Sequence, residues 1–326
     1  MRRREFISLI GGAAAWPLAA GAQQPTIPTI GFLNSASAEG YGARVIAFKK
    51  GLQETGYTEG QNIRIEYRWA EGHFDRLPAM ATDLVQRKVA VIAAGGGPNP
   101  ALAAKAATKT IPIVFTNGGD PIADGLVTNL SRPGGTITGA SFFSNVVLPK
   151  RLGLLRELLP DAGLIAVLIN PNNTSTTGVK NESERSARES GRPIIIVEAS
   201  NEREIDSAVA GIVEQRASAV LVDADGLFRS HADQLIALAA RYSLPASYAD
   251  REYVVAGGLM SYGPSIADGY RQCGTYVGQI LKGTNAGDLP VLQPTKFEFA
   301  LNLKTAKTLG VDVPMIIQMT ADEVIE

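Results

Sequence analysis

Short apolar runs alternate with longer amphipathic segments along most of this chain, and that alternation constrains the fold more than any other feature. Residues 29–33 (TIGFL), 89–94 and 111–116 are apolar almost throughout, and each runs into a polar or Gly-rich loop. Between them, Val45, Phe48 and Leu52 share one face of a helix that stops at Gly56, while 76–87 and 100–108 read as further helices and 62–69 as a strand. Strands with no exposed polar face belong in a parallel sheet covered on both sides by helices. A second series follows: helix 150–159, strand 164–169, helix 174–190, strand 193–198, helix 202–216, strand 219–222, helix 229–242 and strand 245–249. Two successive series, rather than one unbroken run, predict an α/β protein of two doubly wound, three-layer α/β/α lobes. Residues 131–145 (SRPGGTITGASFFSN) are short of helix formers and read as a crossing between lobes, with 251–264 and 288–294 as two further crossings. Several crossings make a multi-strand hinge beside a cleft, and ligands of doubly wound sheets bind beyond the carboxyl ends of the strands.

The first 22 residues, MRRREFISLIGGAAAWPLAAGA, have a basic start, a short apolar core and an A-x-A end, the three parts of a cleavable export signal. Arg3-Arg4-Glu5-Phe6-Ile7 resembles the twin-arginine variant of such a signal. The apolar stretch is too short to span a bilayer, so cleavage after Ala22 is expected to release a soluble periplasmic protein with no membrane span. With 31 basic and 32 acidic residues the chain is close to neutral, which argues against a nucleic-acid partner. Cys273 is the sole cysteine and has no partner for a disulfide within the chain; its helical context, 270–281, reads as a small buried residue. The two histidines, His73 and His231, show no metal-ligand spacing, and neither a metal nor a cofactor is expected.

Signatures of catalysis are missing: no G-x-S-x-G elbow, no phosphate-binding P-loop, no H-E-x-x-H helix. Gly95-Gly96-Gly97 sits between a strand and a helix but lacks dinucleotide spacing, and Pro98 removes an amide donor. It suits either a tight turn or a carboxylate-binding loop. The strand-end loops are rich in neutral hydrogen-bonding groups, including Asn34, Ser35, Ser37, Asn99, Thr116, Asn117, Asn170, Asn172 and Thr174. Each is equally readable as a helix cap, and their recurrence in both series is what favours ligand contact. Asp120, Asp223 and Asp225 stand in the same loops, as turn residues or as partners for a ligand ammonium. Tyr41, Phe142, Phe143, Phe228, Tyr248 and Tyr262 lie near the expected cleft and suit either core packing or an aromatic ligand.

The stretches IGFLNSAS, FKKGLQETGYTEGQNIRIEYRWAEG, VFTNGGDPIADGLVTNLSRPGGTITG, RLGLLRELLPDAGLIAVLINPNN and LQPTKFEFALNLKTAKTLGVDVP, with the leader, resemble substrate-binding proteins of ABC importers. The resemblance is to the family related to tryptophan and tyrosine binders and covers essentially the whole chain. It implies a type I periplasmic-binding fold, with 28–138 and 253–290 in the N-terminal lobe and 139–252 and 291–326 in the C-terminal lobe. It implies a monomer without catalytic residues that hands a small ligand, an amino acid or related carboxylate, to an inner-membrane ABC permease. The binding loops map onto Asn34, Ser35, Gly96, Gly97, Thr116, Asn117 and Asp120 in the first lobe, and onto Asn170, Asn172, Asp223 and Tyr248 in the second. Of these, Asp120, Ser35 and Asn117 are expected to matter most. Competing readings are a ligand sensor partnered with a membrane kinase, which would use the same binding chemistry, and a periplasmic enzyme.

Overall fold

The computed structural model describes residues 27–143 and 146–326; the expected leader and the end of the expected first crossing lie outside the described residues. The chain opens with β1 (Thr29–Asn34), α1 (Gly42–Glu54), β2 (Arg64–Trp69), α2 (Leu77–Gln86), β3 (Val91–Gly95), α3 (Pro98–Ala107), β4 (Ile113–Asn117) and β5 (Ile137–Ser141). These five strands form one parallel sheet in the order β2-β1-β3-β4-β5. The two-residue period of a strand sends Phe32, Ala93 and Val114 to one face and Leu33, Ile92, Ala94 and Phe115 to the other, each into its own core. The second face is covered by Leu77, Ala81 and Leu84 of α2 and Ala101 and Ala104 of α3.

The second series begins with α4 (Leu148–Leu158), β6 (Ile165–Ile169), α5 (Thr176–Ser190), β7 (Ile194–Glu198), α6 (Glu202–Glu214), β8 (Ala219–Val222), α7 (Gly226–Ser230) and α8 (Ala232–Arg241). It continues through β9 (Ala246–Tyr248), α9 (Arg251–Val255), β10 (Met260–Pro264), α10 (Ile266–Leu281), β11 (Phe297–Asn302), α11 (Leu303–Thr308), α12 (Met315–Thr320) and β12 (Glu323–Ile325). The second sheet runs β12-β11-β10-β9-β8-β6-β7, parallel except where β11 lies antiparallel to β10. Its two faces divide Ile165, Val167 and Ile169 from Ala166 and Leu168, again one core on each side.

Although α10 follows a strand of the second sheet, it packs on the first. Tyr270, Cys273 and Val277 share a core with Phe48 and Leu52 of α1. The two helices approach so closely that a Cβ at Gly274 would overlap the Phe48 carbonyl. The chain then returns along the edge of β5, where Ser141 N–H donates to the Leu292 carbonyl and Leu292 N–H to that of Gly139, both at 2.9 Å. Three connections thus join the sheets: from β5 to α4, from β10 to α10, and from Leu292 to β11. Ser265 N–H ties the last two by donating to the Lys296 carbonyl at 3.0 Å.

Strand membership differs from the expected segments in two places. Residues 260–264 belong to the second sheet, not with 253–290 in the first, and β5 extends the first sheet past residue 138 to Ser141. Both strands look like crossings in sequence because ITGAS and MSYGP carry Gly, Ser or Pro and have weak strand preference on their own. Pairing with neighbours on the sheet overrides that preference. The expected helix 229–242 is two helices meeting at His231.

Candidate functional site

Beyond the carboxyl ends of β3, β4, β5, β8 and β9 a cavity lies between the lobes. The first-sheet side contributes Tyr41, Arg44, Gly96, Gly97, Thr116, Gly118, Phe142, Ile266 and Tyr270; the second contributes Ala224, Asp225, Gly226, Arg229, Ala249, Asp250 and Tyr253. The lobes are closed on one another around it. Ser37 N–H donates to Ser230 Oγ at 2.9 Å, Asn99 Nδ2 to the Asn172 carbonyl at 3.1 Å, and Ser175 Oγ to Asp124 at 3.0 Å. At Gly226 a Cβ would overlap Ser35 Oγ from the other lobe, so this pair sets how near the sheets can come.

On the first lobe the wall is a chain of hydroxyls among rings. Thr116 Oγ1 donates to Tyr270 Oη, which donates to Tyr41 Oη, each at 3.1 Å. Tyr41 meets Tyr270 and Trp69 edge-on, and Trp69 stacks on Tyr67. Burial, with the Tyr41 neighbour adding to it, raises the Tyr270 phenol well above its ordinary value, so it stays protonated. Gly96 and Gly97 take φ of 87° and 111°, which other residues adopt only under strain, and Ser35 Oγ donates to the Gly96 carbonyl. Phe142 reaches from the first crossing to α10, where any side chain at Gly269 would overlap its ring.

Charge defines the second-lobe wall. Asp225 Oδ1 caps α7 through Leu227 N–H at 2.8 Å and accepts from Asn170 Nδ2 at 3.0 Å, while Oδ2 accepts from Asn173 Nδ2 at 2.7 Å. Burial still raises its pKa against these donors. Asp250 bridges two arginines from different lobes: Arg44 Nη2 lies 2.7 Å from Oδ2 and Arg229 Nη1 3.5 Å from Oδ1. Burial pushes Asp250 upward, but Arg44 and Arg229 outweigh it and hold the carboxylate below its ordinary range. Burial likewise opposes the Arg44 charge, and Asp250, Tyr41 and Glu252 override it. Glu252, half-buried beside Asp250, is raised to about 7 by its partial burial and by the neighbouring Asp250 charge. Behind this wall Arg151, fully buried, donates through Nη2 to the carbonyls of Val222 and Ser247, both at 2.8 Å. It thereby ties together the ends of β8 and β9, from which Asp225 and Asp250 project.

Of the eleven residues expected from the sequence, Gly96, Gly97 and Thr116 line the cavity. Asn34 and Ser35 lie just behind, buried and turned into the β1–β3 loops; Asn34 Oδ1 accepts from Ala36 N–H. Asn170 touches the cavity only by holding Asp225, and Asn172 bridges the lobes through its backbone. Three placements run against expectation. Asp120 spends Oδ1 on the N–H groups of Ile122 and Ala123, the turn role, and lies outside the lining. Asn117 is consumed by Asp124 and Gly119, again short of the cavity. Tyr248 is packed flat on Tyr253 in the second core, so Tyr253 is the ring that faces the ligand space. Asp223 opens into a smaller recess beside Asn173 and Ser175; burial raises it to about 7, opposed by Ala224 N–H and Arg151. Arg44, Arg229, Asp250, Tyr253, Ile266 and Tyr270 also line the cavity without standing out in the sequence. Arg44 carried a signal, since it repeats at i+4 spacing with Phe48 and Leu52 and so sits on the buried face of α1.

Residues 30–325 match the family model described as ABC transporter substrate binding protein. The tyrosine-binding protein of Clostridioides difficile (strain R20291) is 28% identical over 262 residues, covering 80% of this chain and 75% of that protein. A conserved domain protein of Vibrio cholerae superposes with a TM-score of 0.85 at 27% identity, over 91% of this chain and 99% of its own. An ABC domain from Streptococcus pneumoniae in complex with L-Trp gives 0.83 at 24% identity, over 91% and 99%. The ligand-free, open structure of a Clostridium difficile substrate-binding protein with adhesive properties gives 0.64 at 25% identity, over 92% and 99%.

Proposed function

Because the chain belongs to the ABC transporter substrate-binding protein family, we propose that it captures a small amino acid, aromatic in side chain, between its lobes and presents it to an ABC permease. The observation that carries this reading is the cavity itself: it lies between two closed lobes, at the strand ends of both sheets, walled by tyrosines, a phenylalanine and paired charges. The tyrosine-binding relative supports the aromatic part of the proposal. In operation, an open form takes the ligand on one lobe; closure then adds the contacts of the other and excludes water, so ligand and closure stabilise each other. The ligand leaves unchanged, since Asp225 and Asp250 are engaged in holding structure and counter-charge rather than poised beside a nucleophile. The leader of residues 1–22 supports delivery to the periplasm, by the twin-arginine or the general secretory route.

The test is thermal unfolding of the purified mature protein against the amino acids and aromatic acids one at a time. A ligand at 100 times its Kd stabilises the native state by about 2.7 kcal/mol, a shift of several degrees. If no member of either class raises the melting temperature, the ligand class is wrong.

A further inference from the structure

Two guanidinium groups face the cavity from opposite lobes, and one carboxylate serves both. Arg44 comes from α1, its side chain 6% exposed; Arg229 comes from α7, 10% exposed. Each lies over an aromatic ring, Arg44 Cζ 4.6 Å from the Tyr41 centroid and Arg229 Cζ 4.8 Å from that of Tyr253, which fixes the plane of each fork. Besides the Asp250 contacts, Arg229 Nη2 donates to the Gly40 carbonyl at 3.3 Å, and Glu252 stands 3.9 Å from Arg44. The Nε–H of both is buried with no hydrogen-bond partner among the described residues. A buried guanidinium carries five N–H donors, and leaving some unmatched is costly in a low-dielectric site. The rings, the burial and the shared Asp250 hold both forks ready while their donor capacity stays unfilled. Glu252, raised to about 7, does not supply a full second negative charge near neutral pH.

We propose that Arg44 and Arg229 together receive the carboxylate of the ligand, one fork from each lobe, with Asp250 as the fixed counter-ion that positions the pair. This rests on the binding function proposed above and narrows it: the ligand is a carboxylate-bearing molecule, not an amine alone. Planar, bidentate recognition of a carboxylate is what a guanidinium does best. Because the receptor is split between lobes, it is complete only when the lobes are closed. The loop amides of Gly96 and Gly97, the sequence's candidate for this role, become part of the enclosure instead. Asp225, the second carboxylate of the lining, is the group left to meet the ligand ammonium. The four charged side chains of the lining, Arg44, Arg229, Asp225 and Asp250, balance, which suits a zwitterion.

Calorimetric titration of the mature protein with L-tyrosine against tyramine, and L-tryptophan against tryptamine, isolates the carboxylate. The wild type should prefer each amino acid over its amine by about 100-fold. In Arg229→Met that ratio should fall by about tenfold or more. Arg44→Met should do the same. Since Arg44 also joins the lobes, Arg44→Lys is measured beside it and should give an intermediate ratio, charge kept and fork lost. A merely structural role would weaken amino acid and amine together and leave the ratio unchanged, which overturns the proposal. So does equal binding of amine and amino acid by the wild type. Failure of both amino acids to bind overturns it outright, whereas the solute-binding reading then survives if any other member of the thermal panel binds.

Discussion

On the first lobe the ligand space is bounded by Tyr41, Thr116 and Tyr270, neutral groups linked hydroxyl to hydroxyl, whereas the second lobe presents Asp225, Arg229 and Asp250. The neutral wall needs little support, because rings pack on rings and each hydroxyl finds another. The charged wall needs a scaffold of its own: two asparagines and a helix amide on Asp225, two arginines on Asp250, and Arg151 behind both. Arg44 is the exception, a charge sent across from the first lobe into the second lobe's network. The contrast teaches that, Arg44 apart, the neutral and the charged groups of the lining lie on different lobes, so shape and charge selection should be separable by mutation.

The sharpest way to break the contrast is to remove the support of the charged wall. Arg151→Met leaves the Val222 and Ser247 carbonyls without this donor and removes the positive charge that favours the Asp223 carboxylate. Uncompensated buried polar groups of this kind cost about 3 kcal/mol or more. Urea unfolding should report that loss, and amino-acid binding should fall with it even though Arg151 does not line the cavity. Unchanged stability would mean that the β8 and β9 ends hold their places without it.

A smaller effect separates the lobes by pH. Asp223 and Glu252 are raised by burial to about 7, so the folded protein holds protons there that the unfolded chain releases in the ordinary carboxylate range. Stability from these groups is therefore greatest on the acid side and declines as pH rises through about 7. Asp250 acts in the opposite sense: its lowered pKa contributes stability above the ordinary carboxylate range, lost as pH falls through the folded value. Melting temperature followed from about pH 5 to pH 8 should decline, and Asp223→Asn should flatten the curve. A wild-type profile that rises steadily over that interval would contradict it.

The smallest effects compare single hydroxyl and carboxyl groups. Tyr270→Phe breaks the link between Thr116 and Tyr41 and should cost about 1 kcal/mol of stability, with a loss in ligand affinity because the group faces the cavity. Asp120→Ala removes a turn cap for a similar or smaller cost, about 0.5–1 kcal/mol, and should leave affinity unchanged. Equal effects of the two on binding would return Asp120 to the site.

The architecture was legible in the sequence because parallel strands buried on both faces leave an unbroken apolar signal, as in 164–169 and 219–222. β5 and β10 were not, since ITGAS and MSYGP are held as strands by their neighbours rather than by their own preference. The site was legible as a place, the loops after the strands, but less so by residue. Asn and Asp in such loops satisfy backbone groups as readily as they meet ligands, and Asn117 and Asp120 do the former. The groups that do face the cavity include long side chains on helices, where a basic residue normally reads as solvated. Arg44 with Phe48 and Leu52, and Arg151 with Leu148 and Leu155, show the correction: an arginine inside an apolar helical stripe marks a buried charge with a task.

Cys273, on α10, lies buried against the first sheet, its Sγ donating to the Phe115 carbonyl of β4 at 3.3 Å and its thiol pushed up to about 12 by burial. It is the sole cysteine of the chain, and a thiol so placed is shielded from alkylating dyes. A cysteine introduced on the cleft rim, at Glu39 for example, would then be the one position that takes a fluorophore. Opening and closing of this protein can be watched as a colour change without first engineering away a competing label site.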